Sequence, residues 1–325
     1  MKNKLVLHMV FAMLLAFTVS SFVYLSFGNI YSNTILNYEA FNTQFQSGIY
    51  QYRILSGKLL IWTYEFLGSL GLNYDVFKLK FFNPDSEPQM YLAFYLLNTL
   101  FTALSAAVLV LIFETKRIKA TSSEKLMMTC LAIFAMVITQ FALSPYDCSS
   151  YFFLLIFIYV FLQYLEKGKS WQLISLAVII LISTLNRESS ALSLSFAATL
   201  LLHEFGFKRK SITTLLLLGG VFLGTYLGLR FSAENFTTND GNLLTQNFTQ
   251  PKNYLGILFW AIFFLLTILL ANNRINRRQI IVFHLWALPY ILMCFYTGIL
   301  YEVRLYIPIF LGALVLSKYE TKTIT

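Results

Sequence analysis

Apolar residues gather into ten runs separated by polar turns, at roughly 5–27, 90–113, 126–143, 151–165, 171–185, 191–204, 211–230, 254–272, 280–299 and 305–317. About 20 apolar residues span the hydrocarbon of a bilayer, and a helix satisfies every backbone polar group on the way. The pattern therefore predicts an all-α, polytopic integral membrane protein of about ten transmembrane helices, a single transmembrane domain over residues 1–325. The first run follows Met1-Lys2-Asn3-Lys4 in the manner of a signal peptide. It is longer than the roughly 7–15 apolar residues of a signal core, and no small-residue cleavage site follows. It is expected to remain as the first helix.

Two polar stretches are long, 28–89 and 231–253. In the first, Ser56 to Leu70 interleaves Leu59, Leu60, Trp62, Tyr64, Phe66 and Leu67 with Lys58, Thr63 and Glu65. That mixture predicts a helix lying in the plane of the outer interface, too short and too polar to cross. Asn83-Pro84-Asp85-Ser86-Glu87-Pro88 closes the loop with turn chemistry. The second stretch is rich in Asn, Thr, Gly and Gln without a period, and reads as a mobile loop or lid. Asn235-Phe236-Thr237 and Asn247-Phe248-Thr249 match the N-glycosylation pattern, which has meaning only in a cell with that pathway.

Composition sharpens the class. Of the 325 residues 58% are hydrophobic and 12% charged, against about 25% charged in a soluble domain. A soluble globular enzyme is thereby excluded. The net charge of +9 raises nucleic acid as a partner, and its placement argues against one. With the N-terminus in the cytoplasm, 16 of the 24 Lys and Arg fall on inner segments, among them Arg117, Lys119, Lys208, Arg209, Lys318 and Lys322. This is the positive-inside pattern of a multi-pass protein of the cytoplasmic (inner) membrane with both termini cytoplasmic. Ten of the 15 Asp and Glu, including Glu65, Glu87, Glu234 and Asp240, fall outside.

Ionisable groups at the outer ends of the spans are the candidate chemistry. The runs flanking Thr184-Leu185-Asn186-Arg187-Glu188-Ser189-Ser190 are short for full crossings, so this turn is expected below the outer membrane surface. Arg187 and Glu188 at that depth need protein or a water-filled cavity around them. Two readings stay open, an ion pair that caps two helices and a cavity-lining site. The other outer turns add Glu39, Arg53, Asp147 in Ser144-Pro145-Tyr146-Asp147-Cys148, and Glu302 and Arg304 in Tyr301-Glu302-Val303-Arg304. Carboxylates suit a general base or a metal ligand, and arginines suit phosphate through their planar fork. Duller roles compete. Asp147 is placed to cap the fourth span, and Glu39 to be a solvated loop acid. Glu302 and Arg304, two apart, would not face each other on a helix and so would pair with Arg187 or Glu188. His8, His203 and His284 are isolated, and Cys130, Cys148 and Cys294 match no metal spacing. Gly219-Gly220 and Gly224 suggest close helix packing.

This layout resembles the GT-C class of membrane glycosyltransferases. The resemblance rests on a first span followed by a long outer loop with an interfacial helix, Glu39 early in that loop, and Asp147 in the next outer loop. The Asn186-Arg187-Glu188-Ser189 turn and Tyr301-Glu302-Val303-Arg304 before the last span also look like bacterial envelope-polysaccharide membrane proteins of this type. The chain departs from many members in having a lone acid, Glu39 between Tyr38 and Ala40, where they carry a pair, and in lacking a periplasmic domain. The resemblance implies a lipid-linked sugar donor and membrane lipid as partners. An outer acid, Glu39 or Asp147, would activate the acceptor or hold a divalent metal, which stays open as a cofactor. Arginines would hold the lipid phosphate, with Arg53, Arg187, Glu188, Glu302 and Arg304 around the substrate. Sugar transfer from a polyprenyl-phosphate donor to an envelope glycan or lipid at the outer face is the leading expectation. A polysaccharide polymerase or ligase of the O-antigen type is the nearest alternative. A transporter or flippase is the other, and no paired broken helices in two repeats support it.

Overall fold

The computed structural model describes residues 2–26, 28–77, 79–233, 236–238 and 241–321. Met1, Glu234, Asn235, Asp240 and Lys322 lie outside the described residues. Among the described residues the chain is helical with no strand, apart from one antiparallel bridge between Ile118 and Tyr319.

Among the described residues fifteen α-helices follow one another. They are α1 (Lys2–Ser26), α2 (Gly28–Tyr31), α3 (Tyr38–Phe45), α4 (Ile54–Ser69), α5 (Pro88–Phe113), α6 (Ser122–Ile138), α7 (Asp147–Lys167) and α8 (Ser170–Asn186). Then come α9 (Ala191–Phe205), α10 (Arg209–Phe231), α11 (Leu244–Thr249), α12 (Tyr254–Leu270), α13 (Arg274–Trp286), α14 (Leu288–Thr297) and α15 (Ile307–Ser317). Each apolar run of the sequence falls mainly on one of these helices, except the ninth, which covers both α13 and α14. Among the described residues six helical stretches, built on α1, α5, α6, α7, α10 and α12, are long and apolar enough to cross a membrane. The bent pair α13 and α14 makes a seventh if it is one span.

Local sequence sets the breaks. Thr121 and Glu124 cap α6 reciprocally, with the Thr121 N–H donating to Glu124 at 2.7 Å and the Glu124 N–H to Thr121 at 3.3 Å. Gly168 at φ 64° ends α7 and Gly206 at φ 63° ends α9, both in conformations that glycine adopts without strain. The ninth apolar run is a broken helix. Pro289, near the start of α14, has no N–H for the preceding turn, and the axis bends by 50° there.

The short helix α15 is buried along its whole length. Eleven residues rise only about 16 Å, roughly half the hydrocarbon thickness, and α6, α7, α9, α12 and α13 pack around it. Its two ends mark the two polar ends of the bundle. Beyond its C-terminus, Lys318 reaches Glu124 at 2.5 Å, and Tyr319 shares Glu204 with Arg117, which lies 2.6 Å from that carboxylate. Backbone bonds from Lys119 to Lys318 and from Glu320 to Arg117 tie this end together. At its N-terminus lie Glu302 and Arg304.

The first long loop is folded down against the bundle. Leu36, Phe41, Leu60 and Leu67 bury against Met90, Tyr91 and Phe94 of α5, forming a second apolar cluster. Glu87 organises it. Its carboxylate accepts from Tyr64 Oη at 2.7 Å, Asn37 Nδ2 at 2.9 Å and the Tyr38 N–H at 3.2 Å. Burial, and then the Glu87 carboxylate, push the Tyr64 phenol up to about 12. Helix α4 packs on α5 and α8, with Trp62 and Phe66 exposed on the other side. The glycines of α10 behave differently from the expectation of close packing. A Cβ at Gly219, Gly220, Gly224 or Gly228 would meet nothing, whereas one at Gly256 in α12 would strike the Leu300 carbonyl.

Candidate functional site

Four chain segments meet where α15 begins. Arg53 sits at the entry to α4, after the turn Tyr50–Tyr52. Asp147 is the first residue of α7. Arg187 is extended at φ −166°, between the end of α8 and the short 3-10 turn Glu188–Ser190. Glu302 and Arg304 flank Val303 before α15. Asn186 staples three of these segments. Fully buried, it accepts from Ser56 of α4 at 2.5 Å and Ser149 of α7 at 3.0 Å, and donates to the Tyr146 carbonyl at 3.1 Å. Neither the turn nor its neighbours can shift without leaving that amide unpaired.

The charges pair in a definite order. Asp147 lies between two arginines, with Arg187 on Oδ1 and Arg304 Nη1 at 2.8 Å from Oδ2. Arg304 also grips Glu302, through Nε at 2.8 Å and Nη2 at 2.5 Å. The other oxygen of Glu302 accepts from Tyr31 Oη at 3.0 Å. Glu188 has its own two arginines, Arg53 Nη2 at 3.1 Å and Arg230 Nη2 at 3.2 Å. Tyrosines back the cations. The Arg53 guanidinium lies 5.1 Å and 5.5 Å from the ring centroids of Tyr50 and Tyr146, and Arg230 lies 3.6 Å from that of Tyr226. Arg187, Arg230, Asp147 and Glu302 are all buried.

Four guanidiniums against three carboxylates leave one positive charge in the cluster. Burial alone would raise the Glu188 carboxyl, but Arg53, then a backbone N–H and Arg230, outweigh it and hold the acid below its usual range. Burial likewise opposes the charge on Arg53, and the Glu188 carboxylate overcomes it and raises the guanidinium further.

A cavity of about 210 Å³ opens beside the cluster. Tyr31, Tyr50, Tyr146, Glu302 and Arg304 line it, together with Thr34 and Gln44. The Tyr146 hydroxyl is buried with no hydrogen-bond partner. Aromatic faces, hydroxyls, an amide and a carboxylate are the groups that hold a polyol or a sugar ring, which presents apolar C–H faces and many hydroxyls.

Arg53, Asp147, Arg187, Glu188, Glu302 and Arg304 thus come together, and Glu39 does not. Glu39 is exposed on the first turn of α3, without an ion pair among the described residues. It lies five positions from the cavity-lining Gln44, about 140° around the helix. Two details depart from expectation. Asp147 does not cap α7, because both its oxygens are taken by arginine. Glu302 and Arg304 bond each other directly, because the chain there is a 3-10 turn and the helical spacing rule does not apply. Arg230 falls at the end of the apolar run 211–230, and a charge inside such a run is itself a signal. Tyr31, Tyr50 and Tyr146 carried no signal, since the chain has 20 tyrosines.

No three His, Cys, Asp or Glu among the described residues gather as a metal site. A larger cavity, about 980 Å³, lies at the other end of the bundle, around Lys119, Asn272 and Tyr319. Comparison with protein-family models, with curated proteins and with solved structures finds no match.

Proposed function

We propose that the chain is a membrane glycosyltransferase that moves a sugar from a polyprenyl-phosphate-linked donor to an envelope glycan or lipid. The site is the arginine cluster with its tyrosine-lined cavity. On this reading ten spans place the cluster at the outer face of the inner membrane, both termini are cytoplasmic, and α4 lies along the outer interface. The observation that carries the reading is the excess positive charge, buried beside a cavity of polyol-binding character. Arg187 and Arg304 meet the donor phosphate, and Asp147 holds both guanidiniums in place before it arrives. The acceptor oxygen forms a bond to the anomeric carbon, and the bond from that carbon to the phosphate oxygen breaks. The polyprenyl phosphate leaves with the electron pair and the arginines balance its charge. Glu302, which lines the cavity, takes the acceptor proton, a role worth about 10²–10⁴ in rate.

Transfer by full-length protein tests this. Arg187→Ala and Glu302→Gln should accumulate in the membrane and lose transfer, and full activity in both would refute the site. Two observations favour other readings. Every arginine of the cluster already has a carboxylate, as in a scaffold that only holds helices together. The break between α13 and α14 is a feature of transporters, where broken helices line the transport path.

A further inference from the structure

At the end of the bundle opposite the arginine cluster, α9 and α13 leave a groove of about 320 Å³. Thr199, Leu202 and His203 form one wall, Arg278, Gln279, Val282 and Trp286 the other, and Phe207 stands at the turn after α9. Gln279 is 2% exposed, yet neither its amide nitrogen nor its amide oxygen has a hydrogen-bond partner. A buried amide with both ends unsatisfied is costly, and it calls for an occupant that both accepts and donates. Arg278 beside it is exposed and has no carboxylate partner among the described residues. The charges of Lys208, Arg209 and Lys210 follow Phe207 in the chain, so the groove opens among cations. Phe207 and Trp286 are exposed apolar faces.

We propose that this groove binds an anionic phospholipid whose headgroup carries hydroxyls, of the phosphatidylglycerol class. The phosphate meets Arg278. A headgroup hydroxyl donates to the Gln279 oxygen and accepts from its nitrogen. The acyl chains lie along Leu202, Val282 and Trp286. Basic pockets between membrane helices take anionic headgroups in this way, phosphate on the cation and tails on the apolar wall. The proposal uses no residue of the arginine cluster and stands whether or not the chain transfers sugars.

Thermal unfolding of the full chain in detergent tests it, with three additives: dioleoyl phosphatidylglycerol, dioleoyl phosphatidylcholine and glycerol 3-phosphate. Phosphatidylglycerol should raise Tm saturably, and the other two should not. Arg278→Gln, a change at an exposed residue, should move the half-saturation point about fivefold higher, the worth of one cation at a membrane surface. Gln279→Leu should raise the lipid-free Tm, since it removes two unsatisfied groups, and should blunt the lipid response. Lys116→Gln, an 88% exposed lysine of the same end, should respond as the unaltered chain does. Equal responses to the two lipids would overturn the proposal. So would an equal response to glycerol 3-phosphate, which marks a free-anion site, or an unchanged response in both groove variants.

Discussion

Asp147 and Glu188 each hold two arginines, and that decides how the cluster fails. Glu188→Gln leaves the buried Arg230 and the partly buried Arg53 with no counter-charge, and the loss of one partner from a buried pair is worth about 3–5 kcal/mol. A matching fall in Tm is expected, measured on the purified chain. The pH dependence has a sign. The Glu188 carboxyl is held below its usual range in the folded state, so its stabilisation is complete above the unfolded carboxylate value of about 4.3. It is lost as the pH falls through the lower folded value. The unaltered chain should therefore lose Tm on acidification below about pH 4.3, and Glu188→Gln should lose less over that interval. Equal slopes would show that Glu188 is not ionised in the folded chain. At this scale Asp147, Arg187, Glu188, Glu302 and Arg304 were legible because each is a charge between apolar runs. Their pairing was not, because it depends on backbone turns that helical spacing does not describe. The Asn186 staple was hidden as well, since a single Asn says nothing of the two serines that reach it.

The helices follow from the apolar runs with little displacement, and two of them end at glycines in the left-handed region, Gly168 and Gly206. What the runs did not convey is how much protein surrounds each helix. Helix α15 is enclosed throughout, while α10 is mostly exposed along its length. A run of leucines reads the same whether lipid or protein covers it. The glycines separate the two cases. Gly256→Ala should lower Tm by the equivalent of about 1–3 kcal/mol, since its Cβ meets backbone at Leu300 that has no room to yield. Gly224→Ala, where a Cβ meets nothing, should be neutral or raise stability by up to about 1 kcal/mol. Parallel melts of the two variants check the contrast, and an equal fall in both would refute the packing described for α12.

For the whole molecule, the basic residues and the arginine cluster belong to opposite ends of one bundle, with α15 between them. On the proposed topology the Lys116–Lys119 turn is cytoplasmic and the 231–253 segment lies outside. Cysteines at Lys116 and Asn242, both exposed, should react with membrane-impermeant reagent from opposite faces of sealed vesicles. Labelling from the same face would overturn the ten-span arrangement. Arg187 is proposed to serve the phosphate of the polyprenyl donor and not merely to balance Asp147, and removing the pair together separates these roles. Sugar transfer from a polyprenyl-phosphate donor should be measured with full-length Asp147→Leu/Arg187→Met protein, beside the unaltered chain. Replacing a buried pair by apolar residues is often neutral for stability, so the double variant should accumulate and melt normally. The double variant should transfer no sugar; transfer at the unaltered rate would show that the cluster is only a scaffold.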